Sequence, residues 1–492
     1  MNKIETYLLN CFIILEVVLL ILSLLFIVRI EATDELWTFQ NINKIYNHFT
    51  IYKDSNVITT PLFFYIGYIF LLFSFTSYYF VHRIYGIIIF SLIFFVSYRI
   101  IYNLKMNHNL IHAYLSLLLL ALFQIITTGA NYNYLAVLFY LIGLNLYISN
   151  KNSNFKQAIV FLCIFFTKQN IGIYYLLCIL ITELYLSKDF KKFLLDQIKK
   201  LLLIILPCVT FYLIYSHLGI WEAFIDYCFK GVSEFSKENI AFSAEPFDYI
   251  VPLSYILLTV FINVTKRKHF ASFEDTFFTN INIILIFLIT LLLIVYPILN
   301  SSHFLMTFPI SLIGIFYIFD RLLLSEIFNE YRYSKYSKII CFCVLLMLII
   351  RIGYYYKSHE ASTTFVLDKN SHYYLLSMDT ALYNVRNDLM TFVKEENQKG
   401  NDVIILSYES AIAMVELNQS HGYYDLLFKG NVGSNSIEDI ENDILSRKNT
   451  KYLIVNDDSL IFEQEFPEIW SFIQDNLQYQ GSVSHFLIYK NK

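Results

Sequence analysis

The stretch YLLNCFIILEVVLLILSLLFIV (7–28), followed by RIEATDELW (29–37), decides how the rest of the chain is read. Twenty-two residues, all but Asn10, Glu16 and Ser23 apolar, in helical form measure about 33 Å at 1.5 Å per residue, enough to cross the ~30 Å hydrocarbon core of a bilayer. The run is too long and too lightly flanked for a cleaved signal peptide, and no small-residue cleavage site follows it, so it reads as a retained span. The acidic pair Asp34-Glu35 then stands a few residues past the membrane edge, on a long polar-aromatic loop in a chain that is otherwise mostly apolar. A base held at the boundary of water and lipid suits a substrate with a lipid tail and a polar head.

The rest of the chain repeats the first signal. Of 492 residues, 57% are hydrophobic and 15% charged, against about 25% charged in soluble domains. Mean hydropathy is +0.53. Apolar segments fall near 7–28, 61–80, 84–104, 110–128, 133–149, 157–167, 170–187, 200–218, 249–264, 279–299, 303–324 and 338–356, and a soluble tail fills 357–492. This is the pattern of a polytopic, all-α membrane protein with a C-terminal appendage. A net charge of -4 gives no basic surface for nucleic acid. Six of the seven cysteines lie in apolar segments, Cys228 in a polar loop, and no CxxC occurs, so the cysteines outline neither a disulfide nor a zinc framework.

Charge orients the segments. Basic clusters at Arg99/Lys105, Lys151/Lys156, Lys188/Lys191/Lys192/Lys199/Lys200, Lys266-Arg267-Lys268 and Arg332/Lys335/Lys338 all fall on the cytoplasmic side if 61–80 lies on the outer face instead of spanning. That arrangement predicts about 11 transmembrane helices, a cytoplasmic N-terminus and an external tail in the plasma (inner) membrane. It also predicts a first external loop, 30–83, with two membrane-surface helices. The first would be Thr38–Phe49, with Phe39, Ile42, Ile45, Tyr46 and Phe49 on one stripe; the second would begin at Pro61. The tail reads as a small α/β domain. Strands are expected at Asp402–Ser407, Tyr452–Val455 and Val483–Tyr489, and helices at Ser410–Leu417, Ile437–Ser446 and Pro467–Leu477. Gly430-Asn431-Val432-Gly433 reads as a turn.

Polar, non-anchoring residues then gather on the external side: Asp34 and Glu35; Tyr52-Lys53-Asp54; Asn131 and Asn133; Lys168-Gln169-Asn170; Glu222, Asp226, Lys230, Glu234, Lys237 and Glu238; and Ser301-Ser302-His303. Lys168 interrupts two apolar runs, a costly position for a charge and a functional marker by default. A lysine there can meet a lipid-linked phosphate as a point charge. Snorkelling remains the plain alternative for Lys168, a helix-start role for His303 and a solvated turn for 52–54.

Residues of this kind in this order resemble the GT-C class of integral-membrane glycosyltransferases, which includes protein O-mannosyltransferases, lipid A aminoarabinose transferases and oligosaccharyltransferase catalytic subunits. The resemblance rests on Asp34-Glu35-Leu36-Trp37, on Tyr52-Lys53-Asp54 leading to Thr60-Pro61-Leu62-Phe63-Phe64-Tyr65, on Lys168-Gln169-Asn170-Ile171-Gly172 and on Ser302-His303-Phe304. It covers roughly residues 1–356 and implies a polyprenyl-phosphate sugar donor. It also implies an acceptor hydroxyl on an envelope glycan, lipid or protein. Asp34 would be the general base, with Glu35 orienting the acceptor or Asp34. Lys168, Lys53 and Arg83 would bind the donor phosphate, while Asp54, Asn131, Asn133, Gln169, Asn170 and His303 would line the substrate site. Several branches of the class carry a second acidic residue after the third span, where this chain has TTGANYN (127–133). A divalent cation, which prefers carboxylate oxygens, would find only one acidic cluster, so no cofactor is assigned. The competing readings are a lipid-linked polysaccharide flippase or transporter, and a polysaccharide polymerase or ligase with its key groups in 219–248.

Overall fold

A computed structural model describes residues 3–30, 34–74, 77–126, 131–233, 241–242, 244–269, 274–296, 298–324, 330–406, 410–419, 433, 437–455 and 467–492. Glu234, Lys237, Glu238 and most of the 430–433 turn lie outside the described residues. The chain forms two compact units, and neither is continuous in sequence. One comprises Met1–Ile27, Gly86–Phe211 and Ile240–Ser358; the other comprises Val28–Tyr85, Tyr212–Asn239 and His359–Lys492.

The first unit is helical. Among the described residues of the whole chain, seven helices are long and apolar enough to cross a membrane: Tyr7–Ile27, Tyr78–Asn103, Gln169–Leu186, Phe190–His217, Asp248–Thr265, Asp275–Val295 and Lys335–Ser362. The chain is therefore a multi-pass membrane protein. Leu110–Ala121, Tyr132–Ile148 and Asn154–Thr167 are shorter apolar helices and Phe308–Leu324 has 17 residues, which is why seven and not the expected eleven meet the length of a full span. The basic segment expected as a loop at 188–200 is mostly helical. Phe190–His217 runs for 28 residues, about 42 Å, so its N-terminal turns outrun the hydrocarbon core. Its apolar side chains face outward, Leu202 being 63% and Leu206 71% exposed, as a lipid-contacting helix requires.

Three neighbouring helices fix the geometry around Lys168. Tyr132–Ile148 packs on Asn154–Thr167, which packs on Gln169–Leu186. The last two form a tight hairpin whose hinge is the single residue Lys168, held extended at φ -154°, ψ 111°. Gly172 makes the hairpin feasible. A Cβ there would stand 2.6 Å from the Phe165 backbone, so a larger residue would wedge the helices apart.

The second unit joins the first loop to the tail. The acidic helix spans Asp34–Tyr46 and packs against Leu62–Leu72 and Ser410–Leu417. It starts four residues earlier than expected, so the acidic pair lies on a helix's first turn and not on a loop. Carboxylates are favoured there by the helix dipole. The Thr38 hydroxyl bonds back to the Asp34 and Glu35 carbonyls, each at 2.9 Å. Nor is this a surface helix: every residue from Glu35 to Lys44 is buried. Its amphipathic stripe is real, but its polar side is covered as well; Asn43 donates to the Val415 carbonyl at 3.5 Å and to Asn418 at 3.4 Å. Leu62–Leu72 has 11 residues, about 16 Å, half a bilayer core.

In the tail, a four-stranded sheet is ordered Asp402–Leu406, Thr450–Val455, Phe486–Asn491, Leu477–Val483. The first pair is parallel, the others antiparallel. Helices Ile437–Ser446 and Pro467–Asn476 place Ile440, Ile444, Ile469 and Ile473 on one side of it, against Ile404, Leu406, Tyr452 and Ile454. The strand expected at Val483–Tyr489 instead straddles the turn of a hairpin, Leu477–Val483 folding back as Phe486–Asn491. Helix Thr380–Gln398 and the small ladder pairing Thr363–Phe365 with Ser377–Asp379 were not foreseen either. The ladder is joined to the first loop, since the Ile30 amide donates to the Ser377 carbonyl at 3.1 Å. Arg29 also pairs with Asp379.

Candidate active site

In the helical unit, four elements bring a polar cluster together at one end of the bundle. The Lys168 Nζ donates to Asn133 Oδ1 and stands 5.2 Å from the centre of the Tyr132 ring. Both partners come from the first turn of Tyr132–Ile148, and both are neutral. Asn131 begins that helix, its side-chain oxygen accepting from the Asn133 amide at 2.7 Å; it acts as an N-cap and so helps position Asn133. Gln169 is buried and Asn170 half-buried in the turn after Lys168.

His303 belongs to the same cluster. It sits in the short helix Ser301–Leu305, whose N-cap is Asn300. Asn300 Oδ1 accepts from the His303 amide at 3.0 Å and lies 2.7 Å from Nδ1. An amide oxygen only accepts, so Nδ1 carries the proton and Nε2 keeps its lone pair. Burial, reinforced by the Lys168 charge, pushes His303 down to about 3, so the ring is neutral at physiological pH. Lys168 therefore supplies the cation of this cluster, and His303 a neutral lone pair beside it. The start of the short helix is pinned by Asp248, which accepts from Ser301 Oγ at 2.6 Å and from the Glu245 amide at 2.8 Å. Sequence reasoning missed Tyr132, Asn300 and Asp248; only Tyr132, between two named asparagines, carried a signal.

The second unit holds the acidic pair, and the two carboxylates differ sharply. Asp34 is exposed at the helix start. Glu35 is fully buried and bonded to an equally buried Arg83. The contact is two-pronged, Nε to Oε1 at 3.0 Å and Nη2 to Oε2 at 3.2 Å. Two of the guanidinium's three remaining donors reach the Val28 carbonyl at 2.6 Å and the Arg29 carbonyl at 3.1 Å. Two expectations change as a result. Arg83 is not placed to receive a donor phosphate, because its fork is consumed and no part of it meets solvent. Glu35 is not placed to orient an acceptor; it anchors Arg83, which ties down the chain leaving the first span.

Asp54 also has a local task. Its Oδ2 accepts from the Thr50 amide at 2.7 Å, closing the 50–54 turn. Tyr52, buried at φ 68°, donates to the Thr59 carbonyl at 2.8 Å. Lys53 is the exposed residue of the three. In the 219–248 segment, Asp226 lies 3.8 Å from Lys230, and Cys228 is buried with its thiol 3.8 Å from the Val57 carbonyl. Among the described residues, no three His, Cys, Asp or Glu side chains gather closely enough to hold a metal ion.

No family model matches the chain, and no curated protein matches it. Solved structures do. ArnT from Cupriavidus metallidurans in the apo state is 11% identical, with 99% of this chain and 98% of that chain covered and a TM-score of 0.54. The chain has a GT-C-like fold. ArnT from the same organism bound to undecaprenyl phosphate matches with a TM-score of 0.53 at 11% identity, over 98% of this chain and 97% of that chain. The match extends through the tail, so the small sheet domain is part of the shared fold.

Proposed function

We propose that this chain is a membrane glycosyltransferase that moves a sugar from a polyprenyl-phosphate donor to an acceptor hydroxyl. The observation that carries the proposal is the Lys168 hinge. A half-buried ammonium is fixed at the end of a membrane-helix hairpin by an amide oxygen and an aromatic face, with a neutral histidine in its field. Such a charge suits a lipid-linked phosphate, which must lie where apolar helices end. Support also comes from the shared fold of a protein whose solved structure contains undecaprenyl phosphate.

The chemistry follows from these groups. The acceptor oxygen attacks the anomeric carbon, and the bond from that carbon to the phosphate oxygen breaks. Its electron pair leaves with the polyprenyl phosphate. Lys168 stabilises that departing charge, the kind of electrostatic term that is often the largest in such reactions. Asp34 accepts the acceptor's proton; general base catalysis contributes about 100- to 10,000-fold. Lys53 is a further exposed cation for the donor phosphate, and His303 Nε2 and Asn133 are polar groups for the donor head. The acceptor belongs to the external envelope, as a glycan, a glycolipid or a protein.

The test is transfer kinetics with purified protein and a polyprenyl-phosphate sugar. Lys168→Ala should lower kcat/KM by about 100-fold or more, and Asp34→Asn by a similar factor, with both proteins still folded. Near-normal transfer by Asp34→Asn would remove the base assignment; near-normal transfer by Lys168→Ala would remove the phosphate site.

A further inference from the structure

At their other ends, the helices that meet at Lys168 line a cavity. It lies where Asn154–Thr167 begins, where Gln169–Leu186 ends, and where Phe190–His217 starts. Fourteen and eighteen helical residues separate it from Lys168, about 21 and 27 Å, so it opens at the opposite membrane face. Its volume is about 720 Å³, within the range of about 300–1,000 Å³ typical of small-molecule sites. Lys188 and Lys192 line it together with Asn154, Glu183, Asp189 and Asp196.

The three carboxylates are each occupied by protein donors. Glu183 takes Lys200, Gln197 and the Tyr147 hydroxyl. Asp189 caps the following helix, accepting from the Lys191 and Lys192 amides at 2.9 and 3.3 Å. Asp196 accepts from Asn154 at 3.1 Å. Lys200 offsets the charge of Glu183 and Lys199 lies 3.5 Å from Asp196, while Asp189 keeps its charge. The exposed ammonium groups of Lys188 and Lys192 outnumber that one carboxylate, so the cavity presents a net positive charge to a ligand. Directly beside them, Phe190, Leu194, Leu195 and Ile198 are 45–63% exposed, an apolar surface suited to acyl chains.

We propose that this cavity binds the phosphate headgroup of an anionic phospholipid, with Lys188 and Lys192 on the phosphate and the acyl chains along the start of Phe190–His217. The site is independent of the transfer chemistry and steadies the helix hairpin from the face opposite Lys168.

The experiment uses the full chain in nanodiscs of phosphatidylcholine with and without phosphatidylglycerol, read by thermal unfolding and by lipid retained in native mass spectrometry. Phosphatidylglycerol should stabilise and stay bound to the parent protein. Lys188→Gln and Lys192→Gln should each weaken retention about five-fold. Lys191→Gln, which removes the same charge outside the cavity lining, should have a smaller effect. Equal loss in all three variants, or no preference for phosphatidylglycerol, would reduce the effect to general surface charge and overturn the proposal. Displacement of the lipid by millimolar inorganic phosphate would reassign the cavity to a free anion and overturn it too.

Discussion

Replacing Arg83 by Gln separates a structural role from a donor-binding one. Both side chains of the Glu35–Arg83 pair have no solvent exposure. Removing the cation leaves the Glu35 carboxylate buried without its charge partner, which typically costs about 3–5 kcal/mol. The Val28 and Arg29 carbonyls also lose a charged donor, which moves the cost toward the upper end. Against a typical total of about 5–15 kcal/mol, a loss of this size should be plain in thermal or denaturant unfolding of the purified protein. Exposed Lys53→Gln should stay within about 0.5 kcal/mol. The double variant Glu35→Gln/Arg83→Gln tests the cause. With no charge left buried, its cost should be smaller than the sum of the two single costs by about 2 kcal/mol or more. Parent-like unfolding of Arg83→Gln together with a raised donor KM would refute the structural role and assign Arg83 to the phosphate.

Lys168→Arg keeps the charge but not the compact ammonium, so it should retain more transfer activity than Lys168→Ala, by about ten-fold or more; equal losses would show that charge is not what the position supplies. His303, held near 3 in the folded protein against 6.5 ordinarily, is neutral when folded while the unfolded chain takes up a proton. Its burial therefore costs stability as pH falls from about 6.5 toward 3, and His303→Gln should unfold less readily than the parent at pH 4–5, with little difference at pH 8. Glu416 has the opposite sense. Burial acts to raise it, but hydrogen bonds from His372 and Ser371 and the Arg386 charge hold it down to about 2. Its contribution is present above about 4.5 and is lost as pH falls toward 2, so Glu416→Gln should destabilise the sheet-bearing unit at pH 7 far more than at pH 3, as read by hydrogen exchange. Gly172→Val should lower both thermal stability and transfer, since its side chain meets the Phe165 backbone; unchanged stability would contradict the tight-hairpin account.

Much of this architecture is legible in the order of apolar and polar residues. The Lys168 break shows in sequence because a charge between two apolar runs leaves few alternatives, and the structure gathers Asn133 and His303 around it. The tail's strands show as DVIIL and YLIV because buried strands are continuous apolar runs. What escaped notice had a physical cause. The apolar stripe starts the acidic helix at Thr38 because Asp34 and Glu35 look like loop residues, although a helix's first turn favours them. Its full burial could not be read from an amphipathic stripe, because the elements covering its polar side, such as Ser410–Leu417, lie hundreds of residues away. The pairing of Glu35 with Arg83 is equally remote in sequence, and a charged residue reads as a ligand until its partner is known. Helix Thr380–Gln398 is rich in polar residues and was hidden among the tail's loops.

The central claim is that a sugar leaves a lipid phosphate on this protein and forms a covalent bond to an acceptor. The most direct measurement follows a polyprenyl-phosphate sugar labelled in the sugar, supplied to the purified chain in vesicles with an envelope extract as acceptor. The account predicts label covalently attached to an extract component, with release of free polyprenyl phosphate in equal amount, and loss of both with Lys168→Ala. Label that crosses the vesicle membrane still attached to its lipid, with no polyprenyl phosphate released, would contradict it and make the chain a transporter.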